Sequence, residues 1–165
     1  MILRGRAWKF GDNISTDHIT PGRYFHLRSN IQELAKHVME DADPDFMKKF
    51  KPGDFVVGGK NFGMGSSREH APLALKVAGV SAVLAKSFAR IFYRNAINVG
   101  LPVLIVDTDP IESGDELEVD LSKGIVRDLS KEIELKAKPL PDIMIKILQE
   151  GGLVEFVKKF GSLDV

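Results

Sequence analysis

Cysteine is absent from the 165 residues, so disulfides, thiol nucleophiles, zinc ribbons and cysteine-held iron–sulfur clusters are excluded within this chain. Net charge is absent too: 23 Lys and Arg balance 23 Asp and Glu. No basic footprint suited to nucleic acid or a polyanionic surface results. No stretch approaches the ~20 apolar residues of a membrane span. The opening "MILRGRAWKFGD" lacks the apolar run and small-residue cleavage site of a secretory signal. A cytoplasmic protein that binds neither membrane nor nucleic acid is the expectation. The four histidines, His18, His26, His37 and His70, show no HExxH-like spacing. A metal site built by this chain alone is therefore not expected.

Hydrophobic periodicity organises what is present. Residues 3–10 read as a strand, followed by the polar turn "GDNISTDHITPG". Ile31, Leu34, Ala35, Val38 and Met39 fall on one helical face, with Ser29 and Gln32 at capping-box spacing. "DADPDF" and "KPGD" then punctuate a loop. The centre alternates: strands over 55–58, 81–85 and 101–106, helices over 71–78 and 88–97. Such alternation predicts parallel strands joined by right-handed crossovers. "GDELEVDLSKGIVRDLSKEIELKA" has period-2 segments and reads as an antiparallel meander. Helices over 141–149 and 153–160 close the chain, separated by "EGG". One α/β domain over 1–165 is expected, with a mostly parallel central sheet and a small antiparallel β addition.

Chemistry concentrates in "GGKNFGMGSSREH", residues 58–70. Four glycines permit tight bends and close approach of a ligand to the backbone. Ser66, Ser67, Arg68, Glu69 and His70 follow without a break, just ahead of a helical pattern whose N-terminus favours an anion. The plainer reading makes "SSRE" a capping box with Ser66 as N-cap. Pro72 counts against it, because it would then sit in the helix interior without the N–H needed there. Arg68 stands where a dinucleotide fingerprint or a nucleophile elbow needs glycine, and Lys60 lies on the wrong side for a P-loop.

Together with "SFARIFYRNAINVGLP" and "DNISTDHITPGRY", this loop resembles the small subunits of 3-isopropylmalate dehydratases, which correspond to the swivelling C-terminal domain of aconitases. The likeness runs from about residue 3 to residue 160. It implies a three-layer swivelling β/β/α domain that is half of an enzyme. A separate large subunit with three cysteines would hold a [4Fe–4S] cluster, in keeping with the cysteine-free composition here. The resemblance makes Ser66 the catalytic base, acting as an alkoxide, and gives Ser67 and Arg68 to the substrate. Arg68 suits bidentate recognition of a carboxylate.

Thr16, Asp17 and Thr20, with His18 among them, match a second motif of the family that contacts substrate or supports the site. Asp17 has the alternative reading of an Asx-turn residue. "RYFHLRSN", residues 23–30, falls where the family's specificity loop lies. Arg28 pointing inward would favour a third carboxylate, whereas Phe25 or Leu27 pointing inward would favour a branched alkyl group. Arg90 and Arg94, four apart on a predicted helix, suit a solvated stripe, a subunit contact or, with Asn95, a site role. Phe88, Ile91 and Phe92 have the spacing of core residues, and His26 and His37 that of surface or helix-face residues.

The function implied is isomerisation of 2- and 3-isopropylmalate in leucine biosynthesis, by dehydration and rehydration, with an iron–sulfur large subunit. Two rivals stand beside it. One is a related hydro-lyase such as a homoaconitase or dimethylmalate-type subunit, acting on another hydroxy-dicarboxylate or tricarboxylate. The other is a non-catalytic anion-binding module.

Overall fold

A computed structural model describes residues 1–66 and 70–161. Its strands are β1 Ile2–Lys9, β2 Phe55–Val57, β3 Val83–Ala85, β4 Val103–Ile105, β5 Glu116–Asp120, β6 Ile125–Asp128 and β7 Ile133–Lys136. They form a seven-stranded sheet in the order β4-β3-β2-β1-β5-β6-β7. β1 through β4 pair in parallel, with Ala7 opposite Phe55 and Val83 opposite Val103. β1 also pairs antiparallel with β5, setting Leu3 opposite Val119, and the meander continues antiparallel to β7. The expectation of a mostly parallel sheet is thus corrected. The sheet is mixed, because the meander hydrogen-bonds directly to the free edge of β1 and extends it.

Four longer helices, α4 His70–Ala78, α5 Arg90–Val99, α6 Asp142–Gln149 and α7 Leu153–Phe160, fall where the periodicity predicts them. The single helix expected near residues 29–39 does not form. α2 covers Ile31–Leu34, a 3₁₀ turn covers Ala35–His37, Val38 is extended, and Met39 is left-handed at φ 62°. Asn30 rather than Ser29 is the N-cap, its side chain accepting from the Glu33 amide. The Met39 amide donates to the Ile19 carbonyl at 2.9 Å, a tertiary bond that draws it out of helical geometry. Leu34, Ala35, Val38 and Met39 are still buried, so the pattern marks the buried face correctly and the element wrongly. Three short elements lie in segments read as turn or loop: α1 Thr16–Ile19, a 3₁₀ turn Gly22–Leu27, and α3 Phe46–Lys49.

The core runs from the parallel half of the sheet into these helices, with Phe46, Phe55, Phe62, Leu75, Leu84 and Phe156 fully buried. Each such side chain contributes about 1.5–3 kcal/mol by leaving water. Buried Asp54 ties β1 to the chain before β2. Its carboxylate accepts from the Arg6 amide at 3.0 Å, the Trp8 indole at 2.9 Å and the Lys51 amide at 3.1 Å.

A buried acid pair, Asp115 and Asp128, sits under the meander. Asp115 receives Lys131 Nζ at 2.7 Å and the Glu112 amide at 3.0 Å, while Asp128 accepts the Lys131 amide at 3.2 Å. Burial pushes the Asp128 carboxyl up to about 6, reinforced by the Asp115 carboxylate beside it. Burial alone would raise Asp115 as well, but hydrogen bonds from Asp128, Lys131 and Glu112 hold it below its ordinary value. Because the folded chain holds the Asp128 proton more tightly than the unfolded chain, this group stabilises fully below about pH 4. That contribution is lost as pH rises through about 6. Asp128→Asn keeps the acceptor and removes the titration. Its melting temperature should exceed the wild type's at pH 7.5, with a margin that shrinks or reverses at pH 5. An equal difference at both pH values would show that Asp128 does not titrate in this window.

Candidate active site

The carboxyl ends of parallel strands are where open α/β sheets bind ligands, and here three such ends are laced together. The chain leaving β2 runs between the loops that follow β1 and β3. On one side, Gly59 N–H donates to Gly11 at 3.1 Å, Asn13 N–H to Lys60 at 2.8 Å, Gly63 N–H to Ile14 at 2.7 Å and Thr16 N–H to Met64 at 2.9 Å. On the other, Lys86 N–H donates to Gly59 at 3.0 Å, Phe62 N–H to Ser87 at 3.0 Å and Ala89 N–H to Phe62 at 2.9 Å. The glycine loop is therefore an irregular middle strand, held on both edges.

Two glycines are required by this path. Gly63 has φ +85°, and a Cβ there would lie 2.2 Å from Cγ of Phe92. Gly65 has φ +101° and passes close to Thr16, whose Oγ1 would lie 3.3 Å from an added Cβ. Both conformations are left-handed, where a Cβ is strained.

Ser66 follows at the rim of a cleft of about 290 Å³. It lies ahead of α4, and Pro72 sits near the start of that helix. Its Oγ is 3.3 Å from Oγ1 of Thr16, which is only 2 % exposed. Thr16 is held in place by α1, whose N-cap Ser15 forms a reciprocal capping box with His18. The Ser15 amide donates to His18 Nδ1 at 2.9 Å, so this ring has a capping duty. Thr20 is buried one turn on, its hydroxyl donating to the Thr16 carbonyl at 3.2 Å. Asp17 is exposed in the first turn of α1.

The opposite wall comes from the start of α5: Arg90, Ile91, Phe92 and Asn95. Ala89, the N-cap, provides no side-chain cap, so the first amides of this helix add positive potential beside Ser66. Ile91 is 53 % exposed in the cleft rather than in the core where its spacing put it. Phe92 is buried, as that spacing suggests. Arg90 and Asn95, left between several readings by the sequence, join the cleft wall, whereas Arg94 points along a different groove. Helical spacing alone could not select between them. The packing of Phe92 against Gly63 does.

Ser67, Arg68 and Glu69 lie outside the described residues. Arg28 is exposed at the end of the 3₁₀ turn, its guanidinium 4.2 Å from the Phe25 ring and donating to the Phe25 carbonyl at 3.2 Å. It is not among the described residues that line the cleft. Phe25 does not line the described cleft either; its ring lies 6.1 Å from that of His70 in α4. Leu27 packs against the core. His37 stacks on Tyr24 at 3.9 Å, and His26 is exposed.

Residues 12–108 match the aconitase C-terminal domain. The chain is 78 % identical over the full length of both sequences to a protein of Archaeoglobus fulgidus named 3-isopropylmalate dehydratase small subunit 2. It is 61 % identical to small subunit 1 of Thermotoga maritima, over 98 % of each chain. A crystal structure of a 3-isopropylmalate dehydratase protein from Methanocaldococcus jannaschii superposes with a TM-score of 0.93 at 50 % identity, covering 98 % of this chain and 96 % of that one. The chain belongs to the aconitase C-terminal domain family and, within it, groups with the 3-isopropylmalate dehydratase small subunits.

The lacing predicts a sharp response to a methyl group at its tightest point. Gly63→Ala should lower unfolding free energy by about 2–4 kcal/mol, from left-handed strain and collision with Phe92. Urea denaturation checks this, and wild-type stability would mean that the loop does not need its left-handed residue.

Proposed function

We propose that this chain is the small subunit of a cytoplasmic 3-isopropylmalate dehydratase, a hydro-lyase that interconverts 2- and 3-isopropylmalate on the route to leucine. In this role it acts as a three-layer swivelling domain, active only with a cluster-bearing large subunit. The observation that carries the reading is the Ser66–Thr16 hydroxyl pair at the cleft mouth, at the ends of the parallel strands.

The reaction removes a proton from one carbon and hydroxide from its neighbour, leaving an alkene that is rehydrated with the opposite regiochemistry. Ser66, as alkoxide, takes the carbon-bound proton and returns one in the rehydration. An ordinary serine hydroxyl is far too weak an acid for this, so hydrogen bonds to the charged form must favour it. Thr16 is the nearest described donor, at 3.3 Å. The uncapped start of α5 adds electrostatic support. Thr20 secures Thr16 from below; to Arg68 and Ser67 we assign a substrate carboxylate, and to Asp17 a supporting role.

A chain without cysteine is not suited to hold a [4Fe–4S] cluster, and no group of three metal-ligating side chains occurs among the described residues. We assign the cluster to the large subunit, where an iron would supply the Lewis acid for the departing hydroxyl. Within the 23–30 segment the Arg28 guanidinium is engaged by its own turn, whereas Phe25 contacts His70 of α4; we therefore assign the substrate contact to Phe25, which favours a branched alkyl group over a third carboxylate.

Two experiments test this. Ser66→Ala in the reconstituted complex should lower kcat by a factor of about 10³ or more, as loss of a reacting group does, with assembly intact. Thr16→Val should give an intermediate loss. Near-normal turnover of Ser66→Ala would remove the serine as base. Separately, Arg28→Val should leave the ratio of kcat/KM for isopropylmalate over homoaconitate unchanged. Phe25→Ala should lower kcat/KM for isopropylmalate roughly tenfold, in the range of a lost apolar contact. A preference that moves with Arg28 would reverse this assignment.

A further inference from the structure

We propose that the groove between α5 and α6 is the seat of the large subunit, and that it takes an apolar segment of that subunit flanked by acidic side chains. This rests on the reading above, in which a large subunit exists.

The groove has a volume of about 430 Å³, with Tyr93, Ile97, Ile143 and Met144 along it and Arg90 and Arg94 at its edge. A second depression of about 330 Å³ extends it past Phe88 and Ile105 to Lys138. Arg90 lines both, and it also lines the cleft that holds Ser66. The three depressions therefore share Arg90 as a common border. A body that brings a Lewis acid within one substrate length of Ser66 must cover the cleft mouth. At Arg90 it already touches the groove.

Charge selects the occupant. Arg90, Arg94 and Lys138 are exposed, and none has an ion pair or side-chain hydrogen bond among the described residues. Asp142, at the start of α6, is the acid nearest in sequence to the groove's lining. Cations without a partner among the described residues, set around an apolar floor, call for carboxylates from outside. The side chains are also those that interface cores favour, namely tyrosine, arginine and methionine. Tyr93 is half-buried, and its hydroxyl has no partner among the described residues. The Tyr93 phenol is protonated at neutral pH, and burial raises it further, so it can donate to an incoming carboxylate.

The test uses the purified chain and the co-expressed, cluster-loaded large subunit. Arg94→Glu and Met144→Glu lie outside the Ser66 cleft. Each should weaken the dissociation constant for the large subunit tenfold or more, and Arg94→Glu should reduce its salt dependence. Turnover at saturating large subunit should stay within twofold of wild type, and the melting temperature of isolated Arg94→Glu should be unchanged. Unaltered affinity in both variants overturns the proposal. So does loss of self-association of this chain, seen by sedimentation, with large-subunit affinity intact, because the groove would then seat a second copy. Failure of the wild-type chain to bind the large subunit overturns it as well. A wild-type complex that assembles but does not turn over isopropylmalate would instead count against the proposed activity, and the affinity measurements would still decide the groove.

Discussion

Everything in the candidate site depends on residues 59–64 being hydrogen-bonded along both edges while carrying no regular strand geometry. The bonds to 11–16 and to 86–89 place three strand-end loops in register. Few residue types can follow that path. Gly63 must clear the face of Phe92, and Gly65 must clear the Thr16 hydroxyl. Satisfying the backbone in this way is what allows Gly59, Phe62 and Gly63 to be buried, since unpaired amides and carbonyls would be costly there. The same lacing delivers Ser66 to Thr16. The hydroxyl pair is a result of backbone pairing, and only secondarily of the two side chains.

That dependence explains which parts could be read from the sequence. The glycine–serine motif was legible because left-handed glycines and a proline shortly after the serines both constrain the backbone locally. The four longer helices were legible because each repeats its apolar period over two turns or more. The four-residue helix α1 has no room for a period, although its capping box is written in Ser15 and His18. Met39 left its helix for a carbonyl at Ile19, a contact twenty residues away in the chain. Period-2 segments announced the meander but not its neighbour. Pairing of β5 with β1 spans more than a hundred residues, and local pattern carries no record of it.

The cleft wall shows the same limit. Phe88, Ile91 and Phe92 share helical spacing, yet α5 begins only at Arg90, so Phe88 precedes it and Ile91 occupies its exposed first turn. Arg90 and Arg94 are both exposed, one turn apart. Only the packing of Phe92 over Gly63 decides that Arg90 borders Ser66 while Arg94 borders the neighbouring groove. Arg28 is a different case. Its guanidinium has an aromatic ring and a carbonyl within its own turn, which compete with any ligand for it.

The exposure of Ser66 then acquires a physical meaning in the proposed role. An alkoxide facing bulk water gains little from one hydroxyl donor and one helix end, because water screens both. The same donors act far more strongly in a site from which water is excluded. Thr16 is already desolvated beside it, whereas Ser66 is not. A partner that closes over the cleft would complete the desolvation and deliver the Lewis acid in one movement. The serine would then give up its proton only once the large subunit is seated. Isolated small subunits would then hold their serine protonated and inert, which keeps a reactive group silent until the second half of the site is in place.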